Sequence, residues 1–255
     1  MIARFKKYYF LFEELVARDF KQKYKRSVLG VGWSVLSPLL TLLVMRLIFT
    51  QFFGRNTPHY TTYLFAGNIV MSFYKESTKG GMNSLYNNRA IFSKVNVPKY
   101  MFVFSKNVSA LINFGLTILV FFVFCIIDKI QFGFHMVALI YPVICETVFC
   151  VGVGMILSAM LIFFRDTEYL YDVFLTMLTY LSAIFYTVDR YSPAVQRLFL
   201  LNPVYVYIKY FRVVVIDRMI PSLAYHGLCA FYAIVALLIG FLVYKKNNQK
   251  FLYYV

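Results

Sequence analysis

Long apolar stretches separated by short polar breaks run along most of the chain. The clearest are 39–53, 108–127, 136–164 and 224–244, and each holds few charged residues. A helix needs roughly 20 apolar residues to cross the hydrocarbon core of a bilayer, which is about 30 Å thick. The pattern therefore predicts an all-α integral membrane protein.

We predict six transmembrane helices within a single domain. Their expected positions are 29–53, 60–76, 100–127, 136–164, 170–188 and 223–244. Residues 1–27 are expected to form an amphipathic interface helix before the six-span region 28–244, and 245–255 a cytoplasmic tail after it.

The basic residues predict the orientation. Eight lysines and arginines lie in the first 26 residues, and more follow in 75–106 and 245–250. Short cytoplasmic loops carry the Lys/Arg excess in membrane proteins, so we expect both termini in the cytoplasm. Segment 189–218 is basic and partly apolar, yet it lies outside in this arrangement. We expect short outer helices there that re-enter the membrane, with their basic residues at the headgroups.

The N-terminal segment is amphipathic. Its large apolar residues recur at spacings of three and four: Phe5, Tyr9, Phe12, Val16, Phe20 and Tyr24. Arg18, Lys21 and Lys25 share another face. This pattern is typical of a helix in the inner membrane interface, with aromatic residues in lipid and cations on anionic headgroups. The same helix is also a possible docking surface for a cytoplasmic partner.

Composition supports the membrane class and argues against an enzyme. The chain is 61% hydrophobic, with a mean hydropathy of +0.67 and a formal net charge of +15, which we assign to membrane surfaces and not to nucleic acid. The four cysteines lie in apolar segments, where packed thiols are expected in place of disulfides. The three histidines are isolated, so neither a metal site nor an acid–base cluster is expected.

Two ionisable residues, Arg46 and Glu146, lie well inside apolar spans. Charges inside a membrane are costly and usually face other protein groups. Their depths from the outer side differ by only about 6 Å at the rise of a helix. We predict that they pair, within one subunit or between two. There are two alternatives. The two residues contact a substrate, or Arg46 extends outward to the membrane surface and leaves Glu146 protonated.

Small residues and aromatic residues give weaker signals. Gly152, Gly154 and Ser158 form a strip for close helix packing, within the chain or between subunits. The chain holds 22 tyrosines, 28 phenylalanines and one tryptophan, most of which must pack or face lipid. A minority is expected to line a path for a substrate. The candidates are Trp33, Tyr63, Phe73, Tyr74, Tyr180, Phe185 and Tyr186.

Four segments follow one another in a set order along nearly the whole chain. They are 18–30 with Trp33 and Pro38 after it, 88–99, 164–168, and the pair Asn202 and Pro203. The first combines a basic helix, a Leu-Gly pair, a tryptophan and a proline at the entry to span one. In this order and spacing the chain resembles the ABC-2-type permeases that export polysaccharides, O-antigen and teichoic acids.

The resemblance implies one half of a transporter, a homodimer with two copies of a separate ABC ATPase. The sequence holds no G-x-x-x-x-G-K-[ST] loop, so ATP and Mg are expected on the partner and no cofactor on this chain. By the same resemblance, the contacts with the ATPase fall on Asn88, Arg89, Arg165, Asp166 and Glu168. The alternative for Arg165 and Asp166 is a solvated pair at a span end. Asn202 and Pro203 correspond to an outer gate.

The predicted function is export of a lipid-linked cell-surface glycan across the bacterial cytoplasmic membrane. An ABC-2 exporter of a drug or a simple lipid is the alternative within transport. A membrane-embedded enzyme would need a nucleophile, base or metal cluster that the sequence does not show. An ion-coupled transporter would need more intramembrane carboxylates and inverted repeats.

Overall fold

The computed structural model describes residues 8–24, 29–30, 32–53, 59–95 and 97–254, and this part of the chain is helical without strands. The α-helices are α1 Tyr9–Tyr24, α2 Gly32–Phe53, α3 Tyr60–Asn87, α4 Arg89–Phe92, α5 Tyr100–Ile127, α6 Ile140–Phe163, α7 Thr167–Leu181, α8 Pro193–Phe199, α9 Pro203–Val215 and α10 Leu223–Asn247. Two 3-10 helices, Phe134–Leu139 and Lys250–Leu252, precede α6 and follow α10. The predicted all-α class is confirmed.

Helices α3 and α6 form the centre of the molecule. α6 packs along α10 on one side and along α3 on the other, and α3 also contacts α5 and α9. The central face of α3 is fully buried, with Leu64, Phe65 and Val70 each 0% exposed. Other helices therefore enclose much of α3, whereas its Ser72 and Glu76 are exposed.

Small residues allow α6 to approach its neighbours closely. A Cβ atom on Gly152 would lie 2.3 Å from the carbonyl carbon of Ala236 in α10. A Cβ atom on Gly81 of α3 would lie 2.9 Å from the Cα of Gly154. The Ser158 hydroxyl is 2.5 Å from the Tyr244 hydroxyl. The small-residue strip therefore packs within the chain.

Four helical segments among the described residues are long and apolar enough to cross a membrane: Gly32–Phe49, Tyr100–Ile127, Phe134–Phe163 and Leu223–Asn247. Helices α8 and α9 form a fifth if the pair, bent by 107°, counts as one broken span. The protein is therefore a multi-pass membrane protein.

The other two expected spans do not meet this criterion. Helix α3 has 28 residues, but Asn68, Lys75 and Glu76 lower its mean hydropathy. Helix α7 has 15 residues, which gives a length of about 22 Å. The bend between α8 and α9 has the geometry of a re-entrant pair or a broken span, at the position where re-entrant helices were expected.

Both ends of the described chain are packed more closely than the sequence predicted. Helix α1 lies against α5 and buries Leu15, which is 2% exposed, among residues of α3, α4 and α5 such as Leu85, Phe92 and Phe102. After α10, Phe251 is 0% exposed and packs on Phe163 and Tyr244, whereas Tyr253 and Tyr254 are exposed. Lys99 donates hydrogen bonds to the Asn248 carbonyl and side-chain oxygens, and burial lowers the pKa of its amino group. Phe5 and Lys25 lie outside the described residues.

Candidate functional site

The turn between α3 and α4 is fixed by Asn88, which is 1% exposed. Its backbone N–H donates to the Leu85 carbonyl at 3.1 Å, and its Nδ2 donates to the Ser84 carbonyl at 2.7 Å. Its Oδ1 accepts a hydrogen bond from Arg18 Nη2 at 2.9 Å. Asn88 therefore shapes the turn and joins it to α1, so it is not an exposed contact residue.

Tyr86 lies between the two segments that were expected to contact an ATPase. The guanidinium carbon of Arg89 is 4.8 Å from the centre of its ring, and that of Arg165 is 5.5 Å away. Such contacts are attractive because the face of an aromatic ring is electronegative. Both arginines are exposed, so the two segments form one basic surface at one end of the molecule.

The carboxylates of this surface lie at the start of α7. Asp166 occupies the N-cap position and Glu168 the first turn, and both are exposed. A carboxylate in the first turn is stabilised by the helix dipole. One turn further on, Asp172 forms a salt bridge of 2.7 Å with Lys79 of α3. The start of α7 is thus held against α3 while its polar side chains remain accessible.

A buried carboxylate ties α1 to the helical bundle. Oδ1 of Asp19 accepts from Arg18 Nη2 at 3.0 Å and from Lys106 Nζ of α5 at 2.9 Å. Its side chain is only 3% exposed, and its Oδ2 has no hydrogen-bond partner in the described part of the chain. Arg18 therefore contacts Asp19 and Asn88, whereas Lys21 is exposed. Sequence reasoning missed Asp19 and Lys106, although Asp19 stands directly beside the basic residues 18–26.

Arg46 and Glu146 are not brought together within the chain. Arg46 is exposed on α2, whereas Glu146 on α6 is 1% exposed and its Oε1 has no hydrogen-bond partner among the described residues. The intramolecular form of the predicted pair is therefore wrong, because α2 packs on α3 and α5 and keeps Arg46 away from α6. A pair between subunits stays a prediction, and it would require Glu146 to become accessible.

Two of the seven aromatic candidates line a cavity of about 420 Å³ between α2, α3 and α5. Trp33 is 44% exposed on its α2 wall, and Phe73 is 3% exposed on its α3 wall. Tyr74 instead lines a second cavity of about 410 Å³, where Asn202 and Pro203 also lie. Its ring stacks on that of Phe149 with centroids 5.9 Å apart. The remaining four candidates lie elsewhere.

Those four surround the turn that follows α7. Tyr63 donates a hydrogen bond to the Tyr186 carbonyl at 2.7 Å, and the Tyr186 hydroxyl donates to the Tyr180 carbonyl at 2.9 Å. Phe185 stacks on Phe49 of α2 with centroids 4.3 Å apart. Tyr180 is 62% exposed. This group holds a turn in place, and the hydroxyls of Tyr63 and Tyr186 both donate to protein carbonyls.

Arg212 of α9 holds this turn by donating hydrogen bonds to three backbone carbonyls. Its Nη1 donates to the Ala183 carbonyl at 2.8 Å, its Nη2 to the Ile184 carbonyl at 2.9 Å, and its Nε to the Tyr63 carbonyl at 3.3 Å. Its guanidinium carbon also lies 3.4 Å from the centre of the Tyr63 ring. The expectation that the basic residues of 189–218 lie at headgroups is therefore wrong for Arg212, which is 7% exposed.

Asn202 and Pro203 begin helix α9. Asn202 Oδ1 accepts from the backbone N–H groups of Val204 at 3.0 Å and Tyr205 at 3.4 Å, as an N-cap does. Its Nδ2 donates to Ser182 Oγ at 3.0 Å. Pro203 at the first helical position needs no hydrogen-bond partner for its nitrogen. The pair therefore fixes the bend between α8 and α9 against the end of α7.

The sequence was also compared with models of known protein families. The sequence model of the ABC-2 type transporter family matches residues 11–216, from α1 to the end of α9. The chain belongs to the ABC-2 type transporter family. The resemblance inferred from the four ordered segments is thereby confirmed, and the permease is a transport subunit and not an enzyme.

The permease is similar to curated proteins over nearly its full length. It is 24% identical over 239 residues to the O-antigen export system permease protein RfbA of Myxococcus xanthus, which covers 93% of this chain and 92% of that protein. Two proteins of the same description from Klebsiella pneumoniae are 26% and 24% identical over 251 residues, with 95% of both chains covered.

The permease carries one more set of polar residues that sequence reasoning missed. Asn113 Nδ2 of α5 donates to Glu76 Oε1 of α3 at 2.7 Å, at the wall of the first cavity. The sequence predicted Glu76 only as the polar end of span two, because its partner Asn113 lies on a different helix.

Cys125, Cys145, Cys150 and Cys229 are free and buried in the core. Within the described residues, no group of three or more His, Cys, Asp or Glu side chains is placed to hold a metal ion.

Proposed function

We propose that this permease is the transmembrane subunit of an ATP-driven exporter that moves a lipid-linked polysaccharide across the bacterial cytoplasmic membrane. The observation that carries the proposal is the similarity to three O-antigen export permeases across at least 92% of each chain. This similarity does not favour export of a drug or a simple lipid. The cargo is an O-antigen, a teichoic acid or another cell-surface glycan.

The energy comes from a separate ABC ATPase, and the assembly holds two copies of each subunit. The sequence has no phosphate-binding loop of its own. We assign the ATPase contact to the basic surface around Tyr86, which carries the exposed Arg89 and Arg165 beside Asp166 and Glu168. The two arginines fit acidic groups on the ATPase and the two carboxylates fit basic groups, since complementary charge steers association.

The permease crosses the membrane six times, with both termini in the cytoplasm. Four helical segments support this by length and composition, and the bent α8–α9 pair is assigned to the outer leaflet. Helix α3 is assigned to the second span because Leu64, Phe65 and Val70 are fully buried against other helices and Glu76 is hydrogen-bonded to Asn113 of α5. Helix α7 with the turn after it serves as the fifth span. The lysines and arginines of 75–106 and of the N-terminal segment then lie inside.

The first test is purification of the permease from native membranes in a gentle detergent, with identification of the proteins that accompany it. We expect an ATPase with its own phosphate-binding loop in equal amount. Substitution of Arg89 and Arg165 by Glu is expected to reduce ATPase recovery at least tenfold. Substitution of Arg190 and Arg197 by Glu, in the loop before α8 and on α8, is the matched control and should leave recovery unchanged.

A second measurement concerns the cargo. Depletion of the permease is expected to leave a lipid-linked polysaccharide on the cytoplasmic face, detectable by lipid extraction and glycan analysis. Recovery of the permease without any ATPase, even after crosslinking, would contradict the energy source. Normal surface polysaccharide in depleted cells would contradict the proposed cargo.

A further inference from the structure

The segment that follows α10 folds back onto the ends of other helices. Asn248 lies at the C-terminal end of α10, and its backbone and side-chain oxygens accept hydrogen bonds from Lys99 Nζ, the second at 3.1 Å. The negative end of the α10 dipole lies here and stabilises a cation. Lys99 is 8% exposed, so a buried amine fixes the place where the segment begins.

Phe251 fixes the segment at a second point. Its side chain is 0% exposed, and its ring centre lies 6.0 Å from that of Phe163 at the end of α6 and 5.3 Å from that of Tyr244 in α10. The Lys99 amine lies 5.8 Å from the same ring centre. Phe251 also belongs to the buried cluster that contains Leu85 at the end of α3. The segment is therefore anchored to the ends of several helices.

The two tyrosines that follow this anchor face outward. Tyr253 is 87% exposed and Tyr254 is 63% exposed. The Tyr254 ring meets the Phe163 ring edge to face, with centroids 5.1 Å apart. The next residue after Phe163, Phe164, is 71% exposed, and Arg165 follows it. The exposed tyrosines therefore adjoin the loop that carries Arg165.

The chemistry of the two tyrosines suits a protein partner. Tyrosine and arginine are among the residues that most often dominate the binding energy of protein interfaces. A tyrosine offers a large apolar ring and a hydroxyl group at a low cost in conformational entropy. Because Lys99 and Phe251 already hold the segment, binding a partner would require little further ordering.

The neighbouring charges favour a protein over a lipid surface. Asp166 and Glu168 lie beside Arg165 and are exposed. The inner leaflet of a membrane carries anionic headgroups, which repel carboxylates. A protein cleft can instead offer basic groups to the carboxylates and acidic groups to the arginine. A surface with both signs of charge and exposed tyrosines therefore fits the ATPase better than the bilayer.

We propose that segment 248–254 is part of the ATPase contact. Asn248 and Phe251 hold the segment, and Tyr253 and Tyr254 enter an apolar pocket of the ATPase beside Arg165. This assignment rests on the proposed function, which places an ATPase at this end of the permease. It adds an aromatic contact to the charged one, from a segment that the sequence predicted only as a tail.

A photoreactive side chain tests the contact directly. p-Benzoylphenylalanine would replace Tyr254 in the permease, which is held in lipid nanodiscs with the ATPase that co-purifies with it. We expect illumination to crosslink position 254 to the ATPase. The same group in place of Phe134, which is 96% exposed before α6, is the matched control and should not reach the ATPase. A crosslink from position 254 to lipid alone, or to a second permease alone, would overturn the proposal.

Substitutions measure the strength of the contact. Tyr253→Ala combined with Tyr254→Ala is expected to weaken ATPase binding to the nanodiscs at least tenfold in surface plasmon resonance. Because both side chains are exposed, the melting temperature of the permease should stay constant. Phe134→Ala combined with Tyr191→Ala, two exposed aromatic residues of the outer side, is the matched control and should bind the ATPase unchanged.

Salt distinguishes the aromatic contact from the charged one. The loss caused by the two tyrosine substitutions should be the same at low and high salt, because buried aromatic contacts are not screened. The loss caused by Arg89→Glu with Arg165→Glu should become smaller as the salt concentration rises. A tyrosine effect that disappears at high salt would overturn the aromatic contact.

The outcomes separate this contact from the proposed function. If the ATPase is recovered and binds the variant with Tyr253→Ala and Tyr254→Ala as tightly as the unchanged permease, the aromatic contact is overturned and the proposed function stands. A lower melting temperature of this variant would assign the tyrosines to the fold and would also overturn the contact. Purification without any ATPase would overturn both proposals, since the partner itself would be missing.

Discussion

Helices α6 and α2 are both apolar and of similar length, yet they are held in different ways. In an 18-residue window of the apolar segment Phe134–Phe163, 44% of the residues are buried, and Gly152 brings α6 into backbone contact with α10. In Gly32–Phe49 of α2, 11% are buried. The exposed residues of α2 include Leu40, Leu43, Val44, Leu47 and Ile48, each at least 48% exposed.

The difference shows that one membrane fold combines a tightly packed helix, α6, with a loosely packed one, α2. Close backbone contact through glycine gives strong van der Waals attraction, which drives helix association in lipid. Helix α2 rests on α3 and α5 and leaves most of its apolar surface to lipid or to a second subunit. Helix α2 also forms one wall of the cavity lined by Trp33 and Phe73.

The largest expected effect comes from filling the contact between α6 and α10. Gly152→Ala places a methyl group 2.3 Å from the backbone of Ala236, so the two helices must separate. We expect a loss of at least about 3 kcal/mol in the free energy of unfolding. Thermal unfolding in detergent, followed by circular dichroism, measures the effect.

Gly115→Ala on α5 is the matched control, because no atom lies within 4 Å of the added methyl group. This change should stabilise the helix by up to about 1 kcal/mol. Equal stability of the two variants would show that the α6–α10 contact is not rigid.

The next effect concerns the turn after α7. Arg212→Met removes the donors for the carbonyls of Ala183, Ile184 and Tyr63 and leaves the cavity for a guanidinium partly filled. We expect a loss of roughly 3–5 kcal/mol, as for other buried charged groups that lose their hydrogen bonds. Arg197→Met on the exposed face of α8 is the control. An unchanged melting temperature for Arg212→Met would refute the role of this arginine as the centre of the turn.

A smaller effect is expected where α1 joins the bundle. Asp19→Asn keeps the shape of the side chain but removes the charge that Arg18 and Lys106 share. We expect a loss of about 1–3 kcal/mol, confined to the attachment of α1. Hydrogen exchange of the α1 amides should then speed up while that of α6 stays constant. Glu13→Gln, exposed on the same helix, is the control, and equal exchange in both variants would contradict the attachment.

The smallest effect is expected on the exposed face of α2. Leu47 is 68% exposed, so Leu47→Ala should change the stability of the isolated chain by less than about 0.5 kcal/mol. If this face forms the contact between two copies, the same substitution shifts the dimer toward monomers in crosslinking and mass photometry. A marked loss of stability in the monomer would show that α2 is packed as firmly as α6.

Local patterns in the sequence predicted much of the fold. Apolar length alone located α2, α5, α6 and α10, because a bilayer of fixed thickness demands it. The Asn-Pro pair at 202 and 203 was predicted to lie between the outer helices, and a cap followed by proline at the first turn is a local signal.

The buried polar contacts were not predictable in the same way. Arg212 was expected at the headgroups because its neighbours in the sequence are basic, but its partners are carbonyls of a turn formed by other segments. Asp19 and Lys106, like Glu76 and Asn113, meet only when α1, α3 and α5 are packed. Arg46 and Glu146 show the converse, since similar depth in the membrane did not place them on facing helices.

Helix α3 has a mechanical consequence that follows from its length. Its 28 residues span about 42 Å, which exceeds the roughly 30 Å of hydrocarbon. Near one end the Tyr63 carbonyl accepts from Arg212, and at the other Asn88 accepts from Arg18. If α3 tilted by about 5° as a rigid body around its midpoint, each end would move by about 2 Å in opposite directions. Such a tilt would couple the turn at Asn88 to the turn held by Arg212 without breaking a hydrogen bond inside α3.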